Sequence, residues 1–557
     1  MTPQPAISDA LQRAIAAAEA GSYERAESHC RQILAATPSD AGALCLAGAL
    51  AARRGDVEGA VARYIAALDV APRFVKALSN LGAALSGLGR FDEAETPLML
   101  ALQEDPLHGP ATINLGQVRL AQGRVAEAIG LLQRAVELAP GDLMAWNNLG
   151  AAFLRAERLA EAKEALQYAL ALEPASGAAW SNIASVDHRL GRYGDAAEGF
   201  RKAFDNGAAP AETLTHLGAA LRGMGRYAEA LEAHERSLTL KPDLAEARFN
   251  RALLLLGEGR FAEGWAEYRA RPSARAFRAR QKAADAPRLP ADLTGKTVLI
   301  VTNQGFGDEL FFLRFAPALK ARGASILYRA GSKIAPLARQ IVALDRVIDG
   351  ETNEPADVAL LVDDLPYALG ETGTPPAVAL TPDAQKLSEL RGRLAGLGPA
   401  PYLGVTWRGG IDKSGSLFKE APRADVARIA GAWPGTVLVL QRAPHAGEVA
   451  AFAGEAGRDV QDLSALNDDL DDMLALLALL DDYVAVSNTN VHLRQSLGLP
   501  SRVLLPMPAD WRWMHAGAQS PWFPGTHVYR QSADGSWSDA VNRLADDLKA
   551  VFSRVML

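Results

Sequence analysis

Asn80-Leu81-Gly82, Asn114-Leu115-Gly116 and Asn148-Leu149-Gly150 stand 34 residues apart. The register extends outward from them in both directions. Gly48 lies upstream and Gly218 downstream, and Ala184 and Ala252 occupy the same position in their units. Twelve residues after each comes another small residue: Ala60, Ala94, Ala128, Ala162, Ala196, Ala230 and Gly264. In most units proline follows twelve residues later, at Pro72, Pro106, Pro140, Pro174 and Pro242, and Ala26 with Pro38 carries the pattern back by one unit. Small residues let paired helices approach closely, and proline cannot continue a helix. A fixed period of this length predicts a solenoid of helical hairpins, none of which buries its apolar face alone. Eight units begin at residues 7, 41, 75, 109, 143, 177, 211 and 245, the last of them degenerate.

These offsets, with Trp146 and Trp180 at the aromatic position, resemble the tetratricopeptide repeat (TPR). Such arrays bind peptides on a concave face lined by the first helix of each unit. Asn80, Asn114, Asn148, Asn182, His216 and Asn250 recur at one position of that helix. A row of amides offers donors and acceptors that suit clamping an extended peptide backbone. The same residues also suit packing or capping within the repeats. The ladder resembles that of O-linked N-acetylglucosamine transferases, which implies a peptide-binding role for these six residues.

The composition narrows the alternatives. A net charge of −7 with no long basic block argues against a nucleic-acid partner. The two cysteines, Cys30 and Cys45, lie in Ala/Leu-rich helical segments and do not make a disulfide framework. The longest strongly apolar run, Met473 to Leu480, is far short of the ~20 residues a spanning helix needs. The N-terminus lacks a signal-peptide pattern. The expectation is a cytoplasmic protein with no membrane span.

Between Tyr268 and Pro290 the repeat pattern breaks into a run containing Arg269, Arg271, Arg275, Arg278, Arg280 and Lys282. It reads as a solvated linker helix ending in a proline-rich turn. From Thr297 the texture changes. Short apolar runs at 298–301, 325–328, 358–362, 402–407, 437–441, 483–487 and 502–505 read as buried parallel strands. Helical segments at 310–322, 425–432 and 470–480 alternate with them, which predicts an α/β region. Its length favours two lobes with a break near 385–400. The expected division is a TPR array over 1–278, a linker over 279–296, a first lobe over 297–390 and a second over 391–557.

Ligands in such sheets sit at the carboxyl ends of the strands. The loops there are Asn303-Gln304-Gly305-Phe306-Gly307-Asp308-Glu309, then Gly404 to Gly410 containing Trp407 and Arg408 with Lys413 beyond, then Gln441-Arg442, then Ser487-Asn488-Thr489-Asn490-Val491-His492. Gly305 and Gly307 permit a tight turn, and Asp308 either caps the following helix or faces the cleft. Arg408 and Lys413 suit a diphosphate cradle, or form a solvated basic loop. Hydroxyls, amides and helix-start N–H groups near His492 favour phosphate or sugar oxygens.

Taken in order with Asn490-Val491-His492-Leu493, Asp510-Trp511-Arg512-Trp513 and Ser520-Pro521-Trp522-Phe523-Pro524, these segments resemble the bacterial TPR-fused glycosyltransferases. That family is similar to the heptosyltransferases and shares the two-lobed GT-B fold. The resemblance implies a metal-independent protein glycosyltransferase with no cofactor. It would move a sugar from a nucleotide-sugar donor to Ser or Thr of a protein held by the TPR groove. Flagellin glycosyltransferases share the layout. It further implies that Asp308 is the general base and that His492 serves the donor site. Gly305, Gly307, Arg408, Lys413, Gln441, Arg442, Ser487, Asn488, Thr489 and Asn490 would bind the donor. Ser487-Asn488 departs from the family's Asp-Thr, which leaves sugar and nucleotide open among UDP, GDP, ADP and CMP donors. Two alternatives stand beside this reading: a scaffold with a degenerate transferase region, and a transferase acting on polysaccharide or lipid. Trp511, Trp513, Trp522 and Trp537 read as packing residues rather than as a stacking platform for a ligand.

Overall fold

The structure is a computed structural model that describes residues 9–281, 287–302, 305–350, 354–409 and 419–555. Eight helical hairpins follow the expected register. Their helices run Asp9–Glu19 and Tyr23–Ala36, Ala41–Arg53 and Val57–Val70, Val75–Gly87 and Phe91–Glu104, Gly109–Ala121 and Val125–Leu138, Leu143–Arg155 and Leu159–Leu172, Gly177–Arg189 and Tyr193–Asp205, Pro210–Gly223 and Tyr227–Leu240, and Ala245–Gly257 and Phe261–Tyr268.

The small residues do what the period requires. A Cβ on Gly82, Gly116 or Gly150 would overlap Leu98, Leu132 or Leu166 of the paired helix, and one on Gly48 would overlap Tyr64. The turn inside each hairpin has its own signature. Gly21, Gly55, Gly89, Gly123, Gly191, Gly225 and Gly259 recur there with φ between 72° and 86°, the left-handed region glycine enters without steric cost. In the fifth hairpin Glu157 takes this place with φ 58°.

The chain divides into two compact units, one ending at Ala209 and one beginning at Pro210. Hairpins seven and eight therefore belong to the unit that holds the α/β region. Ala252, Leu256, Trp265 and Tyr268 of the eighth hairpin share one hydrophobic core with Leu310, Phe312, Trp511 and Trp522. After the short helix Pro272–Gln281, the described residues form ten strands: β1 Thr297–Val301, β2 Ser325–Ala330, β3 Arg346–Asp349, β4 Val358–Leu361, β5 Tyr402–Thr406, β6 Thr436–Val439, β7 Gln461–Asp462, β8 Asp482–Val486, β9 Arg502–Leu505 and β10 His527–Arg530. They form two all-parallel sheets, in the orders β3-β2-β1-β4 and β10-β9-β8-β5-β6-β7. Each order reverses beside its first strand, β1 or β5, and such a point leaves a crevice at the strand tips.

One expectation for the linker is corrected. Arg271 is 2% exposed, not solvated. Its guanidinium bonds Asp363 and lies 2.7 Å from Asp364, both buried just after β4. The helix that follows the repeats is thus anchored to the first sheet through a buried charge cluster. No described helix is long and apolar enough to cross a membrane.

Candidate functional site

A cleft of about 320 Å³ opens at the strand tips. Its wall from the first sheet comes from Gly305 to Asp308, the start of the helix Phe306–Leu313 that follows β1. The opposite wall comes from the second sheet. There Thr406, Arg408 and Gly409 follow or end β5, Leu440 and Arg442 follow β6, and Ser487 to Asn490 with His492 follow β8. The two walls meet closely at Gly307, where a Cβ would sit 3.0 Å from His492 Cδ2 and 3.4 Å from the Thr489 Cα. Glycine at 307 thus serves close approach of two helices.

Asp308 lies in the first turn of its helix, whose N-cap residue is Gly305. Its Oδ1 lies 2.7 Å from Arg512 Nη2. Arg512 also donates through Nη1 to Asp510 Oδ2 at 2.9 Å, and its guanidinium stands over Phe311 and Trp511 at 4.7 and 4.6 Å. Burial raises the Asp510 carboxyl, but Arg512 and Lys419 outweigh it and hold the group below its ordinary value. His492 is buried, edge-on to Phe311 and Phe523. Burial first, then the nearby Arg512, Arg314 and Lys419, drives its pKa well below 6.5. Near neutral pH the imidazole is therefore uncharged, able to donate one hydrogen bond and accept another.

On the second wall, Arg408 is tied down. Its Nη2 donates to Glu448 Oε2 at 3.0 Å, and Glu448 also accepts the Trp407 indole N–H at 2.8 Å and the His445 backbone N–H at 2.7 Å. Gln441 stands behind the wall, fully buried. Its Oε1 accepts the Arg408 backbone N–H at 3.0 Å and its Nε2 donates to the Arg408 carbonyl at 2.9 Å. That geometry fixes the loop and engages both amide atoms of Gln441 with the Arg408 backbone. Ser487 Oγ accepts the Trp513 indole N–H at 2.9 Å. Asn488 caps the helix Thr489–Ser496 by accepting the Val491 N–H at 3.1 Å, and Asn490 donates to Asn467 at 3.2 Å.

Lys419 and Asn467 also line the cleft, although no motif in the sequence marks them. No salt bridge within 4 Å is seen for Lys419 or Arg442 among the described residues, although Lys419 acts on the Asp510 carboxyl at longer range. Lys413, Gly410, Asn303, Gln304 and Lys282 lie outside the described residues. The tryptophans serve packing, as expected: Trp511, Trp513 and Trp522 are buried, and Trp537 packs against the core of the second sheet.

The asparagine series divides. Asn80, Asn114, Asn182, His216 and Asn250 are half-buried. Asn148 is 7% exposed, and its Nδ2 has no hydrogen-bond partner among the described residues. Asn182 donates to its neighbour-repeat residue Asn147 at 3.0 Å, and Asn80 reaches the Cys45 sulfur at 4.0 Å. Part of the ladder is thus engaged between repeats.

Two tetratricopeptide-repeat profiles match, one over residues 109–174 and 175–243 and the other over 45–109 and 216–277. The chain carries tetratricopeptide repeats. Protein FlbA of Caulobacter vibrioides is 28% identical over 326 residues, 51% of this chain and 52% of FlbA. The chain thus spans about half the length of the curated relative it matches. Among solved structures, a thermophilic TPR protein of Thermus thermophilus is 25% identical, with a TM-score of 0.31, covering 33% of this chain and 99% of its own. The Cut9–Hcn1 hetero-tetramer of the APC/C is 20% identical with a TM-score of 0.40, covering 49% of this chain and 55% of its own.

Proposed function

We propose that this chain is a protein glycosyltransferase of the GT-B type, with two Rossmann-like lobes and a TPR region that captures the acceptor protein. The observation that carries the reading is the convergence of strand-tip residues from both parallel sheets on one cleft. Arg442, Lys419 and the N-terminus of helix Thr489–Ser496 receive the phosphate of a nucleotide-sugar donor. Neutral His492 hydrogen-bonds the donor, and fixed positive groups stabilise the departing nucleotide. Asp308, oriented through Oδ1 by Arg512, takes the proton of a Ser or Thr hydroxyl. Flagellin is one candidate acceptor, because flagellin glycosyltransferases share the layout.

The test is nucleotide release from UDP-, GDP-, ADP- and CMP-sugars in the presence of an acceptor. One donor class releases its nucleotide, and Asp308→Asn lowers the rate by about 10²-fold or more while donor binding persists. Full activity in Asp308→Asn removes Asp308 as the base.

A second reading, a binding scaffold without chemistry, draws on a specific observation. Arg408, Asp308, Ser487 and Asn488 are all engaged in internal bonds. It predicts nucleotide binding with no release from any donor. Action on polysaccharide or lipid instead predicts that a chain beginning at Pro210 keeps full transfer. The deletion stops there because hairpins seven and eight share the core of the α/β region.

A further inference from the structure

The segment from Met507 to His515 contacts both the cleft and the last two hairpins. Arg512 reaches the cleft acid Asp308 and also pairs with Asp510. Trp511 packs edge-on against Trp265 of the eighth hairpin, with ring centroids 5.3 Å apart. His515 donates its backbone N–H to the Gly257 carbonyl at 3.0 Å, and its ring stacks on Tyr227 at 3.8 Å with the planes 4° apart. The glycines of these two hairpins form the seat. A Cβ on Gly257 would overlap the His515 ring, one on Gly259 would lie 3.5 Å from Met514 Cε, and one on Gly225 would lie 3.3 Å from Met507 Cε.

We infer that the seventh and eighth hairpins position Asp308, acting through the Gly257–His515 seat and Arg512. Arg512 is the positioning residue, since it spans from this segment to the helix bearing Asp308. Asn250 and Gly257 are seven residues apart on one helix and so share a face, about 10 Å apart along it. A polypeptide gripped at Asn250 thus lies on the helix face that seats His515. The consequence for transfer rests on the proposed role of Asp308 as base. The positioning itself does not.

The repeat supplies its own control. Gly87 holds the same repeat position as Gly257, and a Cβ there meets nothing within 4 Å. The experiment is hydrogen–deuterium exchange on the full chain, read at peptides covering 305–313 and 489–496. Gly257→Ala raises exchange at both cleft helices several-fold, whereas Gly87→Ala leaves them unchanged. Tyr227→Ala, which removes the stack without crowding the seat, gives the same direction. Asp308→Asn also raises exchange, and combining it with Gly257→Ala adds nothing, because both break one linkage. Unchanged cleft exchange in both Gly257→Ala and Tyr227→Ala overturns the inference, and so does full additivity with Asp308→Asn. Absence of nucleotide release in the wild-type protein would remove the base role and leave this linkage readable.

Discussion

Hairpins two to six and hairpins seven and eight share one 34-residue pattern and use it differently. In hairpins two to five the first-helix glycine receives a leucine or tyrosine from its own hairpin, as at Gly82 and Leu98, and hairpin six carries Ala184 at that position. In the later pair, glycines also receive side chains from the α/β region: Met507 on Gly225, Met514 on Gly259 and His515 on Gly257. Glycine positions that elsewhere shape a hairpin serve here as sites of domain docking. A repeat period read from sequence therefore reports how each hairpin is built, and not which neighbour it packs against.

The largest expected effect breaks the anchor between the later hairpins and the first sheet. Arg271→Ala leaves Asp363 and Asp364 buried without their cation and costs about 3–5 kcal/mol. Urea unfolding followed by tryptophan fluorescence reads it, and a loss under about 1 kcal/mol, the range of an exposed pair, would mean the cluster is solvated.

A middle effect tests a single repeat position. Where hairpins three to five place Leu98, Leu132 and Leu166, the seventh places His234, fully buried against Gly218 with neither ring nitrogen bonded among the described residues. Burial, with Arg222, Arg251 and His216 nearby, pushes its pKa down from 6.5 to about 3. The unfolded chain binds this proton first as pH falls, so stability is lost below about 6.5. His234→Leu therefore stabilises by about 1–2 kcal/mol at neutral pH. The gap to wild type widens by about 1.4 kcal/mol per pH unit through the acid range. A constant gap from about pH 7 to pH 5 would place the imidazole in contact with water.

The smallest effect lies in the fifth hairpin. Glu157 holds the left-handed turn where the other hairpins have glycine. Glu157→Gly raises stability by about 1 kcal/mol, since the exposed pair it gives up with Arg189 contributes little. Thermal unfolding checks it, and destabilisation would mean that the ion pair outweighs the backbone strain.

Much of the fold was legible because periodicity is local. The repeat starts and the seven apolar strands stand within a few residues of their expected places. The missed strands β3, β7 and β10 lie at the sheet edges. There Arg346 and Asp349 bracket only two apolar residues, and β7 is Gln461-Asp462 alone, so no apolar run marks them. The site was legible where strand tips carry glycine or charge, as at Gly307, Asp308 and Arg442. Lys419 and Asn467 follow segments without a strand signal. The pairing of Arg512 with Asp308 was invisible, because the two meet only when both sheets are assembled. Arg271 reads as one solvated arginine among several until the fold brings Asp363 and Asp364 against it.

The proposed function requires the strand-tip cleft to hold a nucleotide phosphate. Thermal shift of the full chain with UDP, GDP, ADP and CMP tests it most directly, because a ligand that binds only the native state stabilises it by about 2.7 kcal/mol at a hundred times its Kd. At least one nucleotide is expected to raise the melting temperature, and Arg442→Ala combined with Lys419→Ala to abolish the shift. No shift with any of the four, or a shift that survives loss of both cations, would contradict it.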